Sequence, residues 1–140
     1  MRTLGKFSIG TGDRFAHQGK AQLEAVIQAS EKYDKNVSIV WNKSHREHVT
    51  IGTSPDSVRR EADSAVREFS WQGEYFVDAD HINLDNVDLF LDASDFFTID
   101  VADFTGESAP KDTIEEFVES HRNLCSGLVI PGLERPLLIT

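Results

Sequence analysis

Short apolar runs alternate along the chain with longer segments in which apolar residues recur every three or four positions. The short runs predict four strands, over residues 6–10, 37–41, 75–79 and 96–101. The longer segments predict four helices, over residues 20–33, 55–70, 84–93 and 111–123. Strand–helix alternation of this kind is typical of βα units around a parallel sheet, so the predicted fold class is α/β.

Each predicted helix has an apolar face that we expect to pack on the sheet. These faces carry Leu23, Val26 and Ile27; Val58, Ala62, Ala65, Val66 and Phe69; Val87, Phe90 and Leu91; and Ile114, Phe117 and Val118. Ser54 and Pro55 resemble an N-cap and a first helical residue. Residues 42–53 and 80–83 are predicted to be loops. His121 lies on the apolar side of the last helix, which favours a packing or capping role over ligand binding.

Four parallel units fit either an open doubly wound sheet or half of an eight-stranded barrel. A complete barrel takes about 250 residues, whereas this chain has 140. We therefore expect residues 1–140 to form one partial, TIM-barrel-like domain with an irregular Pro- and Gly-containing tail over residues 124–140. The apolar run at residues 137–139 suggests the first half of a longer enzyme, or a self-associating chain whose open edges a partner covers.

Composition excludes several classes of protein. A formal net charge of −10 argues against a general nucleic-acid binder, and a hydrophobic fraction of 39% argues against disorder. Cys125 is the one cysteine, so the chain forms no internal disulfide, which fits a cytoplasmic location. The sequence has no signal-peptide pattern and no apolar run near the ~20 residues that a membrane span requires.

Charge is distributed unevenly along the chain. Residues 1–70 hold 11 basic and 9 acidic residues, a net +2, whereas residues 71–140 hold 3 basic and 15 acidic residues, a net −12. The acidic half is either a solvated surface or a source of carboxylates that converge on a metal ion.

The ligand site of either architecture lies beyond the carboxyl ends of the strands, where four of the five histidines fall. Asp78, Asp80 and His81 form a D-A-D-H cluster there, and carboxylates with an imidazole suit a divalent metal such as Mn, Zn, Ni or Fe. The alternative is that Asp80 caps the next helix and His81 packs. Asp100 and Asp103 are further candidates for a ligand or a general base. Asp100 could instead form a barrel-interior ion pair with Lys43 or Arg14.

The predicted loops after the first two strands are rich in cations, namely Arg14, His17, Lys43, His45, Arg46 and His48. A cationic wall facing an acidic side would suit an anionic sugar whose hydroxyls reach a metal. The alternative is solvated loop charge.

Four segments carry a resemblance to a known family: GTGDRFAHQG at residues 10–19, WNKSHREH at 41–48, YFVDADHI at 75–82 and SDFFTIDVAD at 94–103. They resemble the amino-terminal part of the tagaturonate epimerase family, over roughly residues 6–135. The resemblance implies a TIM-barrel-like, metal-dependent sugar-acid epimerase that interconverts tagaturonate and fructuronate in hexuronate breakdown. Members of that family are much longer than this chain.

The two ketouronates differ at C4, and retro-aldol cleavage between C3 and C4 followed by re-addition would invert that carbon. For this chemistry we assign proton transfer to Lys43, Asp78 or Asp103, metal binding to Asp80, His81 and Asp100, and substrate binding to Asp13, Arg14, His17, Gln18, Asn42, Arg46 and His48. The alternatives are another sugar-acid isomerase or aldolase on the same barrel, and a non-catalytic half barrel that binds a sugar acid or self-associates.

Overall fold

The computed structural model describes residues 3–125 and positions 127, 129, 132, 134 and 135. Its strands are β1 (Phe7–Gly12), β2 (Val37–Ser44), β3 (Tyr75–Ile82) and β4 (Phe96–Ile99). Its helices are α1 (Gly19–Tyr33), α2 (His45–Ile51), α3 (Asp56–Glu68), α4 (Lys111–Ser120) and α5 (Arg122–Cys125), with short 3₁₀ helices at Val87–Leu89 and Ala102–Phe104. The predicted α/β class is confirmed. None of the described helices is both long and apolar enough to cross a membrane.

All strand pairs in the sheet are parallel, and the strand order is β1-β2-β3-β4. A doubly wound sheet reverses its strand order at a switch point, and the described strands show no such reversal. The sheet is therefore singly wound, with each strand beside its neighbour in sequence.

One face of the sheet is covered by α1 and α3. Ile39, Trp41 and Val77 lie on this face, because alternate residues of a strand point to opposite sides. They pack against apolar residues of the two helices, namely Leu23, Val26, Val58, Ala62 and Ala65. The residues adjacent to them in sequence, Asn42 and Asp78 among them, point to the opposite face. We call these the helix face and the inner face.

The chain divides into two compact units, Met1–Ala102 and Asp103–Thr140. The first unit contains the whole sheet. In the second, the His121 ring stacks on Phe117 with centroids 4.4 Å apart, and His121 is the C-cap of α4. The predicted capping position of His121 is confirmed, whereas its side chain is exposed. Residues 124 and 125 belong to α5, and most of the predicted irregular tail lies outside the described residues.

The loop predicted over residues 42–53 is wrong. Strand β2 continues to Ser44, and α2 follows it without a gap. The Ser44 hydroxyl accepts the Glu47 N–H at 3.3 Å, and the Glu47 carboxylate accepts the Ser44 N–H at 3.1 Å. This reciprocal capping box satisfies two helix-terminal N–H groups and starts a helix inside a polar segment.

The α-helix predicted over residues 84–93 is also wrong, because only Val87–Leu89 forms a 3₁₀ turn. The Asn86 side chain accepts the Asn83 N–H, and the Asn83 side chain accepts the Asp85 N–H. Such local bonds compete with helical hydrogen bonding. Within the segment Phe90 is buried as predicted, whereas Leu91 is exposed.

Several predicted boundaries shift by a few residues. Strand β3 runs to Ile82, so residues 80–82, assigned to a loop, belong to a strand. Pro55 is the N-cap of α3 in place of Ser54. Phe69, expected on the apolar face, is the C-cap residue and is exposed.

Candidate functional site

The carboxyl ends of the four parallel strands meet at one edge of the sheet. Asn42 of β2 is the register partner of Asp78 of β3, and Asp78 is the partner of Phe96 of β4. Paired residues of neighbouring strands point to the same side. Asn42 and Asp78 therefore share the inner face near this edge, and Asp80 follows on the same face beside Ser44.

Asp78 is the half-buried carboxyl of this group. Its Oδ2 accepts a hydrogen bond of 2.8 Å from the Thr98 hydroxyl, and its Oδ1 is buried with no hydrogen-bond partner among the described residues. Burial raises the pKa of Asp78, the nearby Asp80 charge raises it further, and the Thr98 bond opposes both. A carboxyl with a raised pKa is a stronger base than an exposed one, and the unpartnered oxygen leaves it a place to accept a proton.

A backbone irregularity beside Asp78 presents an imidazole to solvent. The β3–β4 register shifts between Ala79 and Ile82, and His81 has a positive φ of 55°. Bulges of this kind re-aim side chains and are frequent beside active sites. Here the irregularity places His81 Nδ1 2.9 Å from Asp80 Oδ1.

The Asp80–His81 pair supplies one oxygen and one nitrogen donor of the type that divalent transition metals take. Among the described residues, no three His, Cys, Asp or Glu side chains assemble into a group that could hold a metal. Asp100 accepts the N–H of Ala102 in its own loop, and its N–H donates to the Ile82 carbonyl beside the pair. The donor types thus fit a metal, whereas the described side chains provide only the pair.

Asp13 organises the loop before α1. Its carboxylate accepts the backbone N–H groups of Phe15, His17 and Gln18 at 3.0, 2.6 and 2.7 Å. Burial acts to raise the pKa of Asp13, but these three bonds outweigh it and the pKa is lowered. The structure therefore gives Asp13 a loop-forming role. The side chains of His17 and Gln18 are exposed beside it.

The residues predicted to form the cationic wall do not lie together, because some are on the surface and others are in the interior. Arg14 and Arg46 are exposed, and Arg14 Nε lies 3.6 Å from Glu47 Oε1. Lys43 and His48 are instead buried, with 1% and 3% of their surface exposed. The wall as predicted is wrong for these two residues, because β2 extends to Ser44 and α2 turns His48 inward.

Lys43 and His48 form a buried polar group around Thr53. Lys43 Nζ donates to Thr53 Oγ1 at 3.2 Å, and His48 Nδ1 lies 2.9 Å from the same oxygen. Burial, followed by the Lys43 charge, lowers the pKa of His48 to about 4, so His48 is neutral at pH 7. Burial also lowers the pKa of Lys43, against the charges of Glu47 and Asp13.

The sheet separates two of the three residues predicted to transfer protons, Lys43 and Asp78. Lys43 is the register partner of Ala79 and lies on the helix face, whereas Asp78 lies on the inner face. Asp103 belongs to the 3₁₀ helix Ala102–Phe104 and is exposed. Of the three, Asp78 is the one that shares a face with Asp80 and Asn42.

Sequence reasoning missed Thr98 and Thr53, which hold Asp78 and the buried Lys43–His48 group. Strand alternation places Thr98 on the same face as Phe96, but its contact with Asp78 depends on the β3–β4 register, which only the structure supplies. The contacts of Thr53 could not be predicted either, because they depend on the unpredicted helix α2.

A concavity of about 950 Å³ lies at the opposite edge of the sheet, where the strands begin. Phe7, Ile27, Phe69 and Trp71 contribute its apolar walls, and the Ser38 hydroxyl donates to Glu74 within it. Two exposed carboxylates, Glu31 and Glu74, also line this concavity.

Comparison with known proteins adds no relative: no family model, no curated protein and no solved structure matches the chain. The function is therefore argued from the residues at the carboxyl edge of the sheet.

Proposed function

We propose that the carboxyl edge of the sheet binds a sugar acid and catalyses C4 epimerisation between tagaturonate and fructuronate. The observation that carries the proposal is Asp78, a half-buried carboxyl with a raised pKa and one unpartnered oxygen. Each of the four segments that resemble the epimerase family reaches the carboxyl end of a different strand, and three of them extend past it, so they support a site at this edge. The cytoplasm is the compartment we propose for this reaction.

A TIM-barrel-like arrangement is part of the proposal. Its support is the sequential order of four parallel strands, with helices on one face and polar residues at the carboxyl edge. In barrels of this type the strands follow one another around the axis, and the active site lies at that end.

Asp78 acts as the base in the proposed reaction. Its carboxylate removes the proton of the substrate C4 hydroxyl, the C4–O bond becomes a carbonyl, and the C3–C4 bond breaks. The bonding pair moves to the C2 ketone and gives an enediolate. After the aldehyde fragment rotates, C3 attacks its opposite face and Asp78 returns the proton to the new alkoxide, which inverts C4.

The roles that we propose for the other residues follow from their solvent exposure and from the face of the sheet on which they lie. Asn42 shares the inner face with Asp78 and would donate to a substrate hydroxyl. Arg14, His17 and Arg46 are exposed cations or potential cations beside this edge and would hold the substrate carboxylate. A divalent metal held by Asp80 and His81 would supply Lewis-acid stabilisation of the enediolate.

Turnover of fructuronate in the presence of Mn, Zn, Ni or Fe tests the proposal. We expect NMR to detect tagaturonate, with kcat lowered at least about 100-fold in Asp78→Asn because general-base catalysis is lost. Asp92→Asn, an exposed carboxyl of the β3–β4 connection, is the matched control and should leave kcat unchanged. Full activity in Asp78→Asn would refute the role of Asp78, and three-carbon products would favour an aldolase over an epimerase.

A further inference from the structure

The sheet ends in two strands whose outer edges pair with no other strand among the described residues, β1 and β4. Both edges expose apolar side chains: Phe7 and Ile9 on β1 are 43% and 48% exposed, and Phe97 and Ile99 on β4 are 38% and 73% exposed. Unpaired N–H and C=O groups flanked by apolar side chains form a template for another strand. The two edges are therefore open to pairing with a further strand.

The two chain segments that contain the halves of the sheet carry net charges of opposite sign. Residues 1–70, which include β1 and β2, have a net charge of +2. Residues 71–102, which include β3 and β4, hold eight Asp and Glu and no Lys or Arg, a net charge of −8. Opposite potentials attract across an interface, and like potentials repel. A β1 edge is consequently complementary to a β4 edge and not to a second β1 edge.

We propose that a second copy of this chain occupies both edges. In this dimer β4 of each copy pairs in parallel with β1 of its partner about a two-fold axis along the strands, and the eight strands close into a barrel. The sequential strand order continues unbroken from one copy into the next. Eight strands give a barrel whose interior side chains can fill, and closure removes both free edges at once.

A dimer formed through two identical edges would neither cover all free edges nor bring segments of opposite charge together. A two-fold dimer through β1 and β1 would be antiparallel and would leave both β4 edges open. A dimer through β4 and β4 would bring two halves of net charge −8 together. The proposed dimer is independent of the epimerase proposal, because its mass and its contacts are measured without turnover.

Light scattering on the 140-residue chain gives the first test. We expect a dimer of 2 × 15.7 = 31.4 kDa. A monomer of 15.7 kDa over the micromolar range would overturn the proposal and leave the edges to another segment or protein. Open-ended oligomers larger than the dimer would overturn it as well, since a closed barrel has no free edge.

Substitution of Ile9 tests the charge argument. Ile9→Asp should raise the dimer Kd about 100-fold, because it places a carboxylate beside the acidic segment of the partner, residues 71–102. Ile9→Lys removes the same side chain but adds a complementary charge, so its Kd should rise about tenfold or less. Val49→Asp makes the same change at an exposed position of α2, which packs on the central strands, and should leave Kd unchanged. Equal effects of Ile9→Asp and Val49→Asp would contradict the edge contact.

Cross-linking shows which edges meet. In a Cys125→Ser background, chains carrying Ile9→Cys are mixed with chains carrying Ile99→Cys and treated with a short bis-maleimide. We expect cross-linked dimers from the mixture and none from Ile9→Cys chains alone. Efficient cross-linking of Ile9→Cys chains alone would place like edges together and overturn the proposal.

Discussion

His48 is a buried imidazole whose Nε2 has no hydrogen-bond partner among the described residues, and its pKa is about 4. The ordinary value is 6.5, so the folded state binds a proton at this site less readily than the unfolded state. The stability that neutral His48 contributes is complete above pH 6.5 and is lost as pH falls towards 4. Lys43 and His45 add to the effect, because their charges also oppose a positive His48, while Glu47 acts against it.

We expect His48→Gln to flatten this pH dependence. Between about pH 7.5 and pH 4.5 the wild-type chain should lose about 2–3 kcal/mol more unfolding free energy than the variant. Urea denaturation at the two pH values measures the difference. Parallel pH profiles for the two proteins would show that His48 does not titrate as an isolated buried group.

The pH dependence of stability that we expect from Asp78 has the opposite sign to that of His48, because the pKa of Asp78 is raised in the folded state. The folded state then favours the neutral carboxyl, so the contribution of this group is present at low pH and is lost as pH rises through the folded pKa. Asp78→Asn should therefore raise the melting temperature at neutral pH, with a gain that disappears in acid. Thermal unfolding followed by circular dichroism checks this, and a gain that persists in acid would contradict the assigned cause.

The separation of Lys43 from Asp78 shows what sequence could and could not predict at this scale. Both were expected at the carboxyl edge, and both lie on strands that reach it. Their faces differ because register pairs Lys43 with Ala79 and Asp78 with Asn42. Register depends on how neighbouring strands pair. The sequence therefore predicts which edge of the sheet a residue lies near, but not which residues of the neighbouring strand share its face.

Helix α2 depends on the capping box between Ser44 and Glu47. Ser44→Ala removes the hydroxyl that accepts the Glu47 N–H, and we expect a loss of about 1–2 kcal/mol in unfolding free energy. Thr50→Ala is the control, because it removes an exposed hydroxyl of the same helix that bonds only to the Arg46 carbonyl. Equal losses in urea denaturation would show that the cap contributes nothing specific.

Arg59 connects α3 to the start of β4. Its Nη2 donates to Asp95 at 2.6 Å, its Nε donates to the Ala93 carbonyl at 2.9 Å, and the same Asp95 oxygen accepts the Val77 N–H. Arg59→Ala should lower the unfolding free energy by about 1–2 kcal/mol, since hydrogen bonds to charged groups and to a partly buried carbonyl are lost together. Arg60→Ala removes the exposed neighbour and should change it by less than about 0.5 kcal/mol.

How accurately the sequence predicts a helix depends on which interaction stabilises that helix. Strong apolar periodicity identified α1 and α3, whose faces form the core. The polar segment at 42–53 hid α2, because its stability comes from a cap rather than from an apolar face. The apolar residues at 84–93 suggested a helix, but Asn83 and Asn86 stabilise turns instead. In both wrongly predicted segments, hydrogen bonds between side chains and the backbone determine the structure.

At the scale of the whole molecule, the uneven distribution of charge along the sequence becomes a difference in charge between the β1–β2 side and the β3–β4 side of the sheet. Because the strands keep their sequence order, the acidic residues 71–102 fall on the β3–β4 side and cannot alternate with the cations of residues 1–70. A 3-2-1-4 strand order would instead have placed β3 and β4 at opposite ends of the sheet. The same sequential order that places the candidate site at one edge therefore concentrates negative charge on one side.

That concentration predicts a salt dependence of stability. Carboxylates that repel one another destabilise the folded chain, and salt screens the repulsion within a Debye length of about 10 Å at 0.1 M. Raising NaCl from about 0.02 M to about 0.5 M should increase the unfolding free energy by about 1 kcal/mol at a fixed protein concentration. Asp88→Asn/Asp92→Asn should show a smaller increase, because two exposed acids of this region are neutral. Stability that falls with salt would mean that ion pairs such as Arg59–Asp95 outweigh the repulsion.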